Sequence, residues 1–149
     1  MPQTTFRRDV REGLFSAGED FRSINPTILL KTVHRRPTGF TGDLPQMYIG
    51  SLNETDVHDA GTRSRDIEAQ TVIVGNPTGS EEEISDEIDT IVDYWIEYLT
   101  LHPRAAGSNY LIEPRTVRDV ELEVDNVPYP AAVVTVLCRA LEGRSRTGA

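Results

Sequence analysis

The sequence predicts an α+β fold: one mostly antiparallel or mixed sheet with an N-terminal helix and a long acidic helix packed on it. Three observations carry this. A capped run of apolar residues at helical spacing extends from Ser80 to Leu101. Two segments, Ile67 to Gly75 and Val117 to Val124, alternate at the period of a strand. A second apolar run, Ala131 to Leu141, follows the latter across a turn, as in a hairpin.

Phe6, Val10, Leu14, Ala17 and Phe21 recur at helical spacing and predict a first helix over Thr5 to Phe21. Gly13 and Gly18 weaken it by about 1 kcal/mol each relative to Ala. Asn25-Pro26 ends it, and Ile28 to His34 follows as a short strand. Arg36 to Pro45 is rich in turn residues, and Met47 to Leu52 forms a second strand. Asn53 to Asp66 is polar and without a clear period, so it is assigned to a loop. Loops of that length usually bind something or stay disordered.

In Ile67 to Gly75, Ile67, Ala69, Thr71 and Ile73 share one face while Val72 and Val74 share the other. Asn76-Pro77-Thr78-Gly79 breaks the strand. Ser80 and Glu83 then form a capping box. Ile84, Ile88, Ile91, Val92, Trp95, Ile96 and Leu99 make the apolar stripe of the second helix, and His102-Pro103 stops it. Val120, Leu122 and Val124 alternate with Asp119, Glu121 and Glu123, which implies one buried and one wet face. Asp125 to Pro128 turns the chain into Ala131 to Leu141, which is apolar on both faces and so belongs inside the sheet. The whole chain, 1–149, forms one domain, and 143–149 forms a flexible tail.

Composition excludes several classes. The net charge is −9, the wrong sign for a protein that neutralises phosphates or an anionic membrane surface. There is no apolar run of about 18 residues to span a bilayer. The polar N-terminus is unlike a signal peptide, and a lone cysteine, Cys138, cannot form an internal disulfide. These features predict a protein made and kept in a cytoplasm, or leaving it by lysis. All basic residues but Lys31 are arginine, which fits a GC-rich genome and equally suits contact surfaces.

No catalytic apparatus is evident, and no cofactor or metal is expected. Asp56, His58 and Asp59 lie close together, yet nothing nominates the further ligands a metal site needs. Cys138 sits in an apolar strand pattern and suits a small core residue better than a nucleophile. Gly75 to Ser80 joins a strand to a helix, as a phosphate loop does. It lacks the lysine and the glycine pattern of such loops, and Glu81, Glu82 and Glu83 would repel a phosphate there. Asn53-Glu54-Thr55 fits a glycosylation sequon but has no meaning without secretion.

The second helix holds Glu81, Glu82, Glu83, Asp86, Glu87, Asp89, Asp93 and Glu97, with no basic residue. Removing these eight from the chain's 24 acids leaves 16, against 15 basic residues, so one helix supplies nearly all the net charge. Such a face can simply be solvated, meet a basic partner, or repel a polyanion. Arg7, Arg8 and Arg11 on the first helix could complement Glu82, Asp86, Asp89 and Asp93 of a neighbouring copy.

The element order is an N-terminal helix, a short strand, a Pro/Gly-rich loop and a strand with Met47-Tyr48-Ile49-Gly50. A strand over Asp66 to Val74, a long acidic helix and a final hairpin with Tyr129 complete it. This arrangement, over about residues 4–142, resembles the tail terminator (minor tail) proteins of long-tailed phages, in particular those infecting GC-rich actinobacteria. The resemblance implies a virion protein assembled in the host cytoplasm. It would form a homo-hexameric ring on the last ring of tail-tube protein, stop tube polymerisation and offer a docking face to the head-side neck protein. DNA would only pass through its lumen. Another head–tail connector or tail-completion protein is the alternative within the virion. A small-ligand or regulatory binding domain is the alternative from a different class, and an enzyme built on Asp56, His58 and Asp59 is a third option.

Overall fold

A computed structural model describes residues 6–24, 30–37, 43–59, 62–104 and 110–140, with backbone alone at 55–59 and 62–65. The tail expected at 143–149 lies outside the described residues. The elements are α1 (Phe6–Ile24), β1 (Thr32–His34), β2 (Gln46–Asp59), β3 (Thr62–Val74), α2 (Glu81–Leu101), β4 (Tyr110–Val124) and β5 (Val127–Ala140). The five strands form one sheet in the order β1-β2-β3-β5-β4. Only β1 and β2 run parallel; the other neighbours are antiparallel. This is the α+β class, with both helices packed on the sheet.

Both helices cover the same face. α1 lies over β1 and β2, and α2 lies over β3, β5 and β4. Val10, Leu14 and Phe21 of α1 and Ile91, Trp95 and Leu99 of α2 share one core with Met47, Ile49, Ile67, Ile73, Val134 and Cys138. Each fully buried large apolar side chain contributes about 1.5–3 kcal/mol. The alternation in β3 is as expected: Ile67, Ala69 and Ile73 join this core, while Val72 and Val74 face the other way.

The opposite face carries a smaller cluster of Tyr48, Val72, Val74, Ala131 and Val133, flanked by Leu44, Val120, Leu122 and Tyr129. The half-buried residues of β4 thus serve the face without helices, while Asp119, Glu121 and Glu123 are exposed on the helix side.

The glycines of α1 have a packing reason. A methyl group at Gly13 would overlap the hydroxyl of Tyr110, and one at Gly18 would sit 2.9 Å from Val33. Close approach of α1 to the sheet offsets their poor helix propensity.

Three strand boundaries differ most from the sequence expectation, and the first is β5, which starts at Val127 rather than Ala131 because Asp125 and Asn126 alone make the turn. Asn53 to Arg65 is not a loop. β2 continues to Asp59 and β3 begins at Thr62, in a continuous antiparallel register from Leu52↔Ala69 to Asp59↔Thr62. Among the described residues no third strand joins this ribbon beyond Asp66↔Arg139, and its sequence carries no alternation that would mark it. β4 likewise begins at Tyr110, seven residues before the expected start. Pro114 and an irregularity between Pro114 and Thr116 hide that part of the strand, which an outer position tolerates.

Candidate assembly surfaces

The first charged surface is built by α1 against the outer edge of β2. β1 covers β2 only from Gln46 to Tyr48. Past that point the ladder with β3 is irregular between Ile49 and Leu52. Arginines of α1 reach these outer carbonyls. Arg11 donates from Nη1 to the carbonyl of Ile49 at 3.0 Å and to that of Arg35 at 2.9 Å. Arg7 donates from Nη1 to the carbonyl of Leu52 at 3.2 Å. Two side chains expected to face a neighbouring copy therefore bind their own backbone, and they blunt an edge that another strand could extend.

Arg35 extends the patch. Its Nε lies 2.9 and 2.8 Å from the two carboxylate oxygens of Glu12, and its guanidinium stacks 4.1 Å over the Phe15 ring. Arg8 and Arg36 are exposed. The arginines are close enough to repel: the Arg11 pKa is lowered first by burial, then by the charges of Arg36 and Arg7. Arg11 keeps its proton even so.

The second surface is the outer side of α2. Ser80 accepts from the backbone N–H of Glu83 at 3.2 Å, and Glu83 accepts from that of Ser80 at 3.3 Å, the expected reciprocal cap. Glu82, Asp86, Asp89 and Asp93 are all exposed, at spacings that place them on one side of the helix. Among the described residues no cation forms an ion pair with them. Glu87 is half-buried, and burial raises its pKa against the opposing charge of Lys31.

Thus the α1 arginines gather at the β1–β2 side of the sheet, while the acidic stripe rides on the helix covering β3, β5 and β4. The geometry does not pair the two sets within one chain.

The other candidates resolve as follows. Asp56, His58 and Asp59 fall on β2, with Asp59 at the opposite strand parity from the other two. Among the described residues no group of three metal-ligating side chains comes together. Cys138 is fully buried in the core, and burial pushes its thiol up to about 12. In the loop before α2, Asn76 Oδ1 accepts from the backbone N–H of Thr78 at 3.0 Å and from its hydroxyl at 2.8 Å. No helix among the described residues is long and apolar enough to cross a membrane.

One surface escaped the sequence reasoning. β4 is an outer strand of 15 residues, and its N-terminal half carried no alternation that could reveal it.

The sequence matches no protein-family model, nor does it match any curated protein.

Proposed function

We propose that this protein is a structural subunit that assembles head to tail into a ring, and that the ring is the tail terminator of a long-tailed phage. Six copies would sit on the last ring of tail-tube protein, halt its polymerisation and present a face to the neck protein, with no reaction catalysed. One observation supports the self-assembly most directly. The α1 arginines and the acids at 82, 86, 89 and 93 of α2 lie over different strands, and among the described residues no ion pair joins the two sets. Complementary patches at different sites make heterologous contacts, which close into rings when the rotation allows. Of the exposed arginines of α1, Arg7 is held on the carbonyl of Leu52, which leaves Arg8 for such a contact, and Glu82, Asp86, Asp89 and Asp93 are the acids it would meet. In a ring, any acidic surface lining the lumen would also keep passing DNA from adhering.

The terminator reading is tested by adding the purified protein to polymerising tail-tube protein of the same phage. Tubes arrested at short lengths and capped at one end, seen by negative-stain microscopy, are the expected result. Tubes of unchanged length rule the reading out.

A further inference from the structure

The acidic side of the molecule does not end with α2. Residues directly opposite one another in an antiparallel pair share a face of the sheet. Asp119 lies opposite Ala132, which belongs to the core under the helices. Glu121 and Glu123 continue that parity opposite Pro130 and Pro128. All three carboxylates therefore stand on the helix side, yet all three are exposed, so neither helix covers this length of β4. Arg118, next to Asp119, lies opposite Val133 and turns to the other face.

α2 adds to the same margin. Tyr98 donates to Asp20 of α1, which marks the flank of α2 that looks toward α1. At about 100° per residue, Asp89 projects about 180° from Tyr98, and Glu82 lies within about 20° of Asp89. Both are exposed, on the flank that looks toward β4, because α2 lies over β3, β5 and β4 while α1 lies over β1 and β2. The level along the sheet agrees. A methyl group on Gly75 would sit 2.7 Å from Ile88, so the first turns of α2 stand at the end of β3. Val74, at that end, is level with Ala131 of β5 and Val120 of β4. Glu82, Asp89, Asp119, Glu121 and Glu123 thus gather at one margin, and among the described residues none of them forms an ion pair.

The opposite margin is basic. Arg7 and Arg11 are held by backbone carbonyls and Arg35 by Glu12. Arg8 and Arg36 are exposed and, among the described residues, in no ion pair. The bond from Arg11 to the carbonyl of Arg35 at 2.9 Å sets Arg36 beside α1. β1 and β4 are the two outer strands of the sheet, about 19 Å apart at about 4.8 Å per strand. Within one chain, Arg8 and Arg36 are out of reach of the acids of β4.

We infer that the margin formed by β4 and the adjoining flank of α2 is the receiving face for Arg8 and Arg36 of a second copy of this chain. An unpaired acidic face and an unpaired basic one at opposite ends of one sheet complement each other only between copies. The contact is heterologous, so each copy both gives and receives it, as a ring requires. The inference rests on the ring reading and adds Arg36, Asp119, Glu121 and Glu123 to its contact.

The test uses the full chain in sedimentation velocity at low salt. Two charge variants, R8E/R36E and E121R/E123R, are each compared with wild type, alone and mixed in equal amounts. Wild type should assemble, and each variant alone should sediment as a monomer. The mixture should regain the assembled species, because the two variants alternate around a ring with every contact again between opposite charges. That rescue requires both variants to be folded, and thermal unfolding close to wild type verifies it. Arg118→Glu changes the other face of the same strand and should assemble like wild type. If wild type assembles and the double variants assemble equally well, or the mixture stays monomeric, or Arg118→Glu disrupts assembly as strongly as E121R/E123R, this contact is wrong while the ring reading survives. A monomeric wild type overturns both.

Discussion

The indole N–H of Trp95 donates to the hydroxyl of Thr71 at 3.0 Å, tying the middle of α2 to the central strand of the sheet. Thr71 passes the bond on, donating to the carbonyl of Val134 at 2.9 Å, so three elements share one buried polar chain. Thr71→Val keeps the shape but strands the indole N–H. It should cost about 1–3 kcal/mol in urea unfolding, the usual penalty for an unpaired buried donor. Thr71→Ser should retain most of the stability.

Tyr98 gives a pH dependence. Its hydroxyl donates to Asp20 at 2.7 Å, and burial first, then that bond and the Asp20 charge, raise its pKa. A raised folded pKa means the folded chain holds the proton more tightly than the unfolded one. The stabilisation is therefore full below the ordinary tyrosine value of about 10 and is lost as pH rises through the higher folded value. Tyr98→Phe should be less stable than wild type by about 1.5–3 kcal/mol at neutral pH. That gap should narrow in urea titrations above about pH 10. A gap independent of pH would contradict the assignment.

Gly13→Ala tests the approach of α1 to β4. Helix propensity alone favours alanine by about 1 kcal/mol. Overlap with the Tyr110 hydroxyl should reverse the sign and destabilise the chain by about 1–3 kcal/mol. Tyr110→Phe removes the overlapping atom, so the double variant should recover part of the loss, and a double-mutant cycle measures how much.

Arg11 and Arg8, three positions apart on α1, should behave differently. Arg11→Leu removes the donor to Ile49 and Arg35 and should lower stability by about 1.5–3 kcal/mol. Arg8→Glu should leave the unfolding midpoint nearly unchanged yet weaken assembly in sedimentation, most visibly at low salt. Unchanged assembly would rule out Arg8 as a contact.

These contrasts show where sequence reasoning reaches. The cap at Ser80, the stripe from Ile88 to Leu99 and the alternation of Ile67, Ala69 and Ile73 were legible because burial on one face imposes a period. The ribbon from Asn53 to Arg65 was not, because its polar sequence carries no strand period. Tyr98 was missed from the stripe because its hydroxyl finds Asp20, a partner 78 residues away. Arg7 and Arg11 looked like surface charge because nothing local tells that their long stems reach the edge of β2. The acidic face of α2 was plain in the sequence, but its separation from the arginines needed the sheet order.

The central claim is heterologous self-assembly into a closed ring. Native mass spectrometry of the purified full chain measures it most directly. The account predicts a single dominant species of six copies, with lower-order species appearing as salt is raised. A monomer or a two-fold dimer under the same conditions would contradict it.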